Sequence, residues 1–407
     1  MKYILLVGDG MADYLINELD GKTPLQVANT PNLDYLAKNG VVGMIKTIPE
    51  GMTPGSDVAN LSVLGYDPGK YYTGRAPLEA ASMEVKLSED EIAFRCNLVT
   101  VEGKILTDYS AGHISTREAK ELIEFLDKKL GGPKIKFYPG VSYRHLMVIK
   151  DQQLITASCL LPPASCLLTC IPPHDITGKP YESYLPTGPG SEIIRELMFA
   201  SQEFLENHKI NQKRRIENKN SASMIWLWGQ GKPPKIPTFE QKFGLSGAVI
   251  SAVDLIKGMG KYAGLEIINV PGATGYLDTN FVGKAEYALT ALENKDFVFV
   301  HVEAPDEAGH NGDLQAKIKA IEDFDSMTVG TIVKALPNFE GKVRILALTD
   351  HPTPVSLKTH TCDEVPFLLF GYNITPDNIT SYNELSPQNS LLHFEKGYTL
   401  MDYFIRG

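Results

Sequence analysis

Short apolar, β-rich runs lie near both ends of the chain, and they constrain its fold more than any other feature. One run, YILLVG, covers residues 3–8, and GLEIINV, DFVFVHVEA, VRILALTD and VPFLLFG follow beyond residue 235, separated by segments of helix length. Strands that are apolar on both faces are typical of a parallel sheet covered by helices on each side. The runs therefore predict an α/β fold with a doubly wound sheet, assembled from both ends of the chain.

The middle of the chain has a different pattern. Strand-like pieces (SMEVKL, AFRCNLVTV, KIKFYP and RHLMVIK) alternate with a helical segment that we expect Ser115 or Thr116 to cap and Gly131 to end. A chain of 407 residues is also too long for one ordinary core. We predict one domain of residues 1–70 and 236–407, and a smaller inserted α+β domain of residues 71–235.

Composition excludes several classes of function. The net charge of −10 argues against a nucleic-acid partner, although a local cationic pocket can still bind a small anionic substrate. No apolar run is long enough for a membrane span, and the N-terminal run is too short for a secretory signal, so we expect a cytoplasmic protein. The five cysteines form no disulfide framework, and Cys159, Cys166 and Cys170 lack the paired CxxC spacing of a zinc site.

Acidic residues and histidines follow the predicted strands. In an open parallel sheet, the ligand site lies outside the carboxyl ends of the strands. Each residue alone has a simpler interpretation as a turn, a helix cap or a surface pair. Together, carboxylates and imidazoles at one edge predict a site for Mn²⁺ or Zn²⁺, with Mg²⁺ a weaker fit to the histidines. The candidate ligands at this edge are Asp9, Asp306, His310, Asp350 and His351, and a further histidine, His360, lies just before the run VPFLLFG.

Ser56 is the candidate nucleophile. It lies in the loop before the helix-like DVANLSVLG, where we expect it to be the N-cap of a helix that starts at Asp57. A phosphoryl group at a helix N-terminus is stabilised by free backbone N–H groups and by the helix dipole. A serine hydroxyl needs a base or a metal to become a good nucleophile. Thr53, in the same loop, and Ser62, inside the helix, are the alternatives.

The sequence motifs around these residues are characteristic of a protein family. Asp9, the serine of TPGSDVAN, Asp306 with His310, and Asp350 with His351, followed by His360, resemble in their order the metal ligands of the alkaline phosphatase superfamily. VGDGMAD, NTPNLDYLAKNG, GSDVANLSVLGYDPGKYYTGRAPLEA, DYSAGHIST, PPHDITGK, GATGYLDTN, GKAE and HVEAPDEAGHNGD resemble the archaeal-type cofactor-independent phosphoglycerate mutases over nearly the whole chain. Residues 155–171 (ITASCLLPPASCLLTCI) depart from that pattern.

The resemblance implies a fold, a reaction and a set of ligands. It implies an alkaline-phosphatase-like catalytic domain with an inserted substrate-binding domain, and interconversion of 3- and 2-phosphoglycerate through a phosphoserine. It also implies two divalent ions (Mn²⁺ or Mg²⁺, with Zn²⁺ or Co²⁺ as alternatives) and no organic cofactor. One ion would bind Asp306, His310 and His360. The other would bind Asp9, Ser56, Asp350 and His351.

The inserted domain is expected to bind the substrate and to close over it, bending near Tyr71 and Pro237, because water must be kept from the phosphoserine. Arginines can bind a carboxylate or phosphate through two hydrogen bonds, which favours Arg75 and Arg144, although both could instead be surface ion pairs. His113 is a candidate proton shuttle, and His145 could be a packed core residue. The full set of candidate substrate contacts is Arg75, His113, Arg144, His145, His174, Asp175 and Lys257.

Three other functions use the same ligands. A phosphatase or phosphodiesterase would transfer the phosphoryl group to water, a phosphopentomutase would act on a sugar phosphate, and a metal-binding regulator would lack catalysis. The presence of Ser56 argues against the regulator, and the inserted segment favours a mutase over a hydrolase. The sequence leaves the bound metal and the oligomeric state, including a homo-oligomer, undecided.

Overall fold

The computed structural model describes residues 1–150, 168–339 and 342–407. The chain divides into two compact units, one of Met1–Tyr72 with Lys235–Gly407 and the other of Thr73–Pro234. The predicted inserted segment, 71–235, differs from the second unit by two residues at one end and one at the other. Most of the atypical stretch 155–171, including Cys159 and Cys166, lies outside the described residues.

Thirteen strands are assigned within the described residues. They are β1 (Lys2–Gly8), β2 (Gly40–Ile45), β3 (Ile92–Glu102), β4 (Ile105–Asp108), β5 (Ile135–Tyr138), β6 (Arg144–Ile149), β7 (Met224–Gly231), β8 (Gly247–Ile250), β9 (Glu266–Ile268), β10 (Phe297–Val302), β11 (Val343–Leu348), β12 (Val365–Gly371) and β13 (His393–Phe394).

The α-helices of the described residues include several short ones. They are α1 (Pro24–Val27), α2 (Pro31–Lys38), α3 (Ser56–Val63), α4 (Pro68–Tyr71), α5 (Arg75–Ser82), α6 (Thr116–Leu130), α7 (Ser191–Glu206), α8 (Lys209–Ile216), α9 (Phe239–Phe243), α10 (Asp254–Tyr262), α11 (Phe281–Asn294), α12 (Ala304–Asn311), α13 (Leu314–Asp323), α14 (Gly330–Ala335) and α15 (Leu400–Arg406). A π-helical turn, Phe324–Val329, joins α13 to α14. Of the helices described, none has the length and apolar character needed to cross a membrane.

The first unit is built on an eight-stranded sheet in the order β13-β2-β12-β11-β1-β10-β8-β9. Strands β11, β1, β10, β8 and β9 are parallel neighbours. The predicted α/β class is confirmed, but a parallel β12 is wrong, because β12 pairs antiparallel with both β11 and β2. No helix lies between β11 and β12, and a parallel return would require such a crossover.

Both faces of the central strands are buried, which explains their continuous apolar sequence. Ile4 and Leu6 of β1 pack into the core formed with α2 and α11. Leu5 and Val7, which point to the opposite face, are also fully buried. The candidate ligands Asp9, Asp306 and Asp350 lie beyond the ends of such strands.

The second unit contains an antiparallel sheet in the order β4-β3-β6-β5, with β7 paired to β3. Helices α6 and α7 pack against one face of this sheet in a core that includes Leu122 and Met198. Helix α5 covers part of the other face through Ala76 and Ala80. As predicted, Ser115 caps α6 by accepting a hydrogen bond from the Glu118 amide, and α6 ends at the C-cap Gly131.

Candidate active site

The predicted metal ligands lie together in the first unit because three parallel strands end side by side. Asp9 directly follows β1, Asp306 lies in the first turn of α12 after β10, and Asp350 follows β11. Gly10 is needed in the loop after β1, because its φ of +63° is left-handed and a Cβ there would come within 2.7 Å of Asp306 Oδ1. The edge predicted from the sequence is therefore the edge at which these carboxylates gather.

One group of ligands surrounds Asp306. His310 Nε2 lies 3.3 Å from Asp306 Oδ2, and His360 Nε2 lies 3.3 Å from Asp306 Oδ1. The two Nε2 atoms are 2.9 Å apart. The spacing of four residues between Asp306 and His310 brings both to one face of α12. Thr353 donates a hydrogen bond to Asp306 Oδ1 and so fixes the carboxylate.

A second group surrounds His351, which is fully buried. Its Nε2 lies 3.1 Å from Ser56 Oγ, 3.4 Å from Asp350 Oδ2 and 3.5 Å from Asp9 Oδ1. His351 also has a ring nitrogen within 4.8 Å of ligand atoms of Asp306 and His360. The geometry therefore allows His351 to bind on either side of the centre. We call the seven predicted ligands the metal centre.

Ser56 lies at the start of α3. The helix begins at Ser56 with Gly55 as its N-cap, so the predicted N-cap position of Ser56 is wrong by one residue. The first turn still leaves backbone N–H groups without helical partners, which is the feature that binds a phosphoryl group. Thr53 is exposed on the preceding loop, and Ser62 is buried inside the helix. Of the three hydroxyls, that of Ser56 lies within hydrogen-bond distance of His351.

Asn60 is a functional residue that the sequence interpretation missed. It is fully buried one turn after Ser56, and its side-chain amide donates to Asp350 Oδ2 (2.7 Å) and to the Ser56 carbonyl (3.0 Å). Backbone N–H groups of Gly10 and His351 donate to the other oxygen of Asp350. Asn60 therefore ties the nucleophile's helix to a ligand. The DVAN motif contained this residue, but its role depends on β11, about 290 residues away.

Two further buried side chains were missed. His301, near the end of β10, is fully buried, and its Nε2 lies 3.0 Å from Asp9 Oδ2. Lys284 on α11 is also fully buried and donates a hydrogen bond to the His301 carbonyl (3.0 Å). Burial lowers the pKa of Lys284 to about 8, although Glu303 opposes this change. The only signals in the sequence were a lone histidine inside an apolar strand and the lysine of GKAE.

The pKa values of two carboxylates in the metal centre shift in opposite directions. Burial raises the pKa of Asp9 well above its ordinary value, and the charges of Asp350 and Asp306 raise it further. Burial opposes the ionisation of Asp306 as well, but hydrogen bonds from His310 and His360 hold its pKa well below the usual range. Buried charges of one sign are costly unless a counter-charge is present. A cation in each of the two groups would offset the charges of these carboxylates.

The residues fit divalent cations by geometry as well as by chemistry. Ligands about 2.1 Å from a common ion lie about 3.0–3.4 Å apart in octahedral or tetrahedral coordination. Within the two groups, the distances from Nε2 atoms to their neighbours run from 2.9 to 3.5 Å. Asp9 Oδ1 is buried and has no hydrogen-bond partner among the described residues. Oxygen and imidazole ligands of this kind suit Mn²⁺, Zn²⁺ or a similar ion.

The second unit carries a group of cations that we call the arginine cluster: Arg75, Arg95 and Arg144. Glu79 on α5 lies 3.3 Å from Arg75 and 2.9 Å from Arg95. Arg95, which the sequence interpretation missed, is 6% exposed and stacks over the ring of Trp228 at 4.2 Å. Burial, together with the charges of Arg75 and Arg144, lowers the pKa of Arg95 to about 10, although the charge of Glu79 opposes this change. Arg75 and Arg95 contact the same carboxylate, and the charge of Arg144 acts on Arg95. Guanidinium groups gathered in this way favour binding of an anion.

The other predicted substrate contacts differ in exposure. His113, His174 and Asp175 are exposed, and the His174 ring lies 5.3 Å from that of Trp228. Lys257 on α10 is half-buried and lowers the pKa of Lys284 by its charge. His145 is 2% exposed, and its Nδ1 accepts a hydrogen bond from the Gly140 amide. This burial favours the interpretation of His145 as a core residue over contact with substrate.

Comparison with known proteins agrees with this geometry. A family model described as 2,3-bisphosphoglycerate-independent phosphoglycerate mutase matches residues 37–211. The protein of that name from Methanosarcina acetivorans is 52% identical over 407 residues, which is the full length of both chains. This chain belongs to that family. Membership of the 2,3-bisphosphoglycerate-independent phosphoglycerate mutases confirms the predicted family and enzyme class, an isomerase.

Other family relatives and solved structures extend the likeness. The probable 2,3-bisphosphoglycerate-independent phosphoglycerate mutase of Geobacter sulfurreducens is 51% identical over 410 residues, again over the whole of both chains. The structure of the PH0037 protein from Pyrococcus horikoshii has a TM-score of 0.80 and 31% identity, covering 100% of this chain and 98% of its own. The cofactor-independent phosphoglycerate mutase of Thermoplasma acidophilum has a TM-score of 0.64 and 26% identity, covering 100% and 99%.

Proposed function

We propose that this protein interconverts 3-phosphoglycerate and 2-phosphoglycerate through a phosphoserine at Ser56, next to two divalent cations. The observation that carries the proposal is the position of Ser56 Oγ. It lies 3.1 Å from His351 Nε2, beside Asp9 and Asp350, at the N-terminus of α3. A hydroxyl in this position can accept a phosphoryl group and return it.

Seven residues would hold the cations. Asp306, His310 and His360 would bind one, and Asp9, Ser56, Asp350 and His351 the other. When bound, the cations supply the positive charge that lowers the pKa of the serine hydroxyl and stabilises the phosphoryl group during transfer. Mn²⁺ fits the mixed carboxylate and imidazole ligands better than Mg²⁺, and Zn²⁺ and Co²⁺ are the other candidates.

The chain's own groups would position the reaction. Asn60 holds the first turn of α3 against Asp350, so the Ser56 hydroxyl is fixed before substrate binds. The free N–H groups of that turn would bind the oxygens of the phosphoryl group on Ser56. Lys284 donates a hydrogen bond to the carbonyl of His301 and so holds the end of β10 beside Asp9.

The arginine cluster would bind the substrate's anionic groups. Arg75 and Arg144 were predicted for this role, and Arg95 contacts the same Glu79 carboxylate as Arg75. His113, His174, Asp175 and Lys257 remain candidate contacts. A mutase must retain glycerate between the two transfers, and several guanidinium groups provide the necessary hold on its carboxylate. A phosphatase has no need to retain the dephosphorylated product.

With this activity the protein would act in glycolysis and gluconeogenesis, in the cytoplasm, on a small-molecule substrate and without an organic cofactor. The test uses purified, Mn²⁺-loaded protein and 3-phosphoglycerate. Formation of 2-phosphoglycerate, measured by coupling to enolase, should far exceed release of inorganic phosphate. Phosphate release without 2-phosphoglycerate would indicate a phosphatase and would overturn the proposal. Activity on a pentose phosphate alone would indicate the phosphopentomutase alternative.

A further inference from the structure

His301 occupies a position that the predicted ligand set does not explain. It lies in β10, paired with Val7 of β1, and it is the one polar side chain of that strand. A fully buried imidazole needs partners for both ring nitrogens. Nδ1 lies 3.3 Å from Ser251 Oγ. Nε2 faces the metal centre.

The two carboxylate oxygens of Asp9 lie near different histidines. Asp9 Oδ1 lies 3.5 Å from His351 Nε2, and Asp9 Oδ2 lies 3.0 Å from His301 Nε2. Although the second distance is short, His301 Nε2 has no hydrogen-bond partner among the described residues, so the contact lacks hydrogen-bond geometry. A separation of about 3.0 Å is instead that of two neighbouring ligands of one octahedral ion.

Asp350 completes the arrangement. Ligand atoms of Asp9, His301 and Asp350 all lie within 4.8 Å of one another, and all three residues are buried. The same Asp9 and Asp350 carboxylates are part of the second proposed cation site. We propose that His301 Nε2 is a further ligand of the divalent cation held by Asp9 and Asp350, an inference that rests on the metal site of the proposed function.

The surroundings of His301 support a ligand role. Ser251 Oγ already accepts a hydrogen bond from the Val253 amide, and it can accept a second from an Nδ1–H of His301. That tautomer leaves the Nε2 lone pair free for a metal, as in most histidine ligands. Lys284 holds the strand at the His301 carbonyl. With His351, this ligand gives the cation two imidazoles, which favours Mn²⁺, Co²⁺ or Zn²⁺ over Mg²⁺.

The direct test is a crystal structure of the Mn²⁺-loaded full chain with anomalous data at the manganese edge. We expect an anomalous peak about 2.2 Å from His301 Nε2, with Asp9 and Asp350 in the same coordination shell. A peak bound by Asp9, Asp350 and His351 but more than about 3 Å from His301 would overturn this inference and leave the proposed function standing. If no anomalous peak lay at any of these residues and the metal-free protein were active, the two-metal function itself would be overturned.

A solution test uses His301→Leu, which removes both ring nitrogens and retains apolar volume. Equilibrium dialysis with Mn²⁺ should show one cation per chain bound at least about 100-fold more weakly, while the other keeps its affinity. Ser251→Ala should weaken the same cation less, because the ligand itself remains. The matched control is His393→Leu, which alters an exposed group with Glu364 and Glu395 and should leave both affinities unchanged. Unchanged Mn²⁺ affinity in a folded His301→Leu protein would contradict the proposal.

Discussion

The metal centre of the first unit and the arginine cluster of the second carry charges of opposite sign. In the metal centre, Asp9, Asp306 and Asp350 are each exposed by 4% or less, and neighbouring N–H and O–H groups fix the side chains of Asp306 and Asp350. In the arginine cluster, Arg95 is buried against Trp228, whereas Arg144 is exposed.

This difference in burial indicates how tightly each region binds its ligand. Burying three carboxylates together costs free energy unless a cation is bound. We therefore expect the metal centre to bind its cations tightly. In a partly exposed cluster, water stabilises the charged side chains when no anion is bound. We therefore expect the arginine cluster to release its anion after each turnover. We infer that cation binding is a stable property of the protein, whereas anion binding is transient. The predictions below test this contrast, from the largest expected effect to the smallest.

Ser56→Ala should separate chemistry from cation binding in the metal centre. We expect mutase activity to fall by at least about 10³-fold, because the variant lacks the hydroxyl that carries the phosphoryl group. Metal content and the circular dichroism spectrum should match the parent, since the remaining ligands are unchanged. Thr53→Ala, in the exposed loop, is the control and should retain full activity. More than a few per cent of activity in Ser56→Ala would point to Thr53 or to direct transfer.

Removal of metal should abolish the activity of the metal centre and leave the second unit folded. Dialysis against a chelator should stop turnover, and added Mn²⁺ should restore it. Activity of the loaded enzyme should rise from mildly acidic to mildly alkaline pH, because histidine ligands must be neutral and the serine must lose its proton. Verified metal-free protein that turned over at the parent rate would contradict the two-metal hypothesis.

Asn60→Ala tests whether the metal centre depends on support from α3. The variant loses hydrogen bonds to Asp350 and to the Ser56 carbonyl. We expect Mn²⁺ affinity and kcat to fall about 10- to 100-fold, as for other residues that orient ligands. Ser62→Ala is a matched control on the same helix, since that buried hydroxyl has no hydrogen-bond partner among the described residues. Equal effects of the two substitutions would indicate a packing defect in α3.

Arg144→Ala tests anion binding by the arginine cluster. KM for phosphoglycerate should rise about tenfold, the size expected for one charged hydrogen bond, and metal content should not change. The ratio of phosphate release to isomerisation should also rise, because glycerate would escape before the return transfer. Arg117→Ala, on the exposed side of α6, should match the parent in both measurements. An Arg144→Ala enzyme with parental KM and phosphate release would remove Arg144 from the substrate site.

His145 tests the cost of burying a basic group without a counter-charge. Burial lowers the pKa of His145 from 6.5 to about 3, so the unfolded chain binds its proton first as the pH falls. Neutral His145 costs no stability above pH 6.5. Below that pH its contribution should lower the free energy of unfolding, by about 2 kcal/mol at pH 5, and the decrease should continue down to about pH 3. Urea unfolding of His145→Gln should lack this share of the pH dependence, and His393→Gln, at an exposed site, should keep it. Parallel pH profiles for His145→Gln and the parent would be the contrary result.

The sequence by itself determined the strands and the polar residues at their ends. Apolar runs predicted β1, β10, β11 and β12, because burial on both faces requires an uninterrupted apolar sequence. Asp9 and Asp350 were found because they directly follow such runs. These features depend only on the order of residues along the chain. The residue that follows a strand is the same whatever packs against that strand.

Tertiary structure decided which of these side chains meet. β12 runs antiparallel because the chain has no helical crossover between β11 and β12. The partners of Asn60, Arg95 and His301 lie in segments that are distant along the chain. His301 stands in an apolar strand that looks like simple core, and only pairing of β10 with β1 places its imidazole beside Asp9. Contacts between distant segments are set by packing and register, which leave no periodic signal in either segment alone.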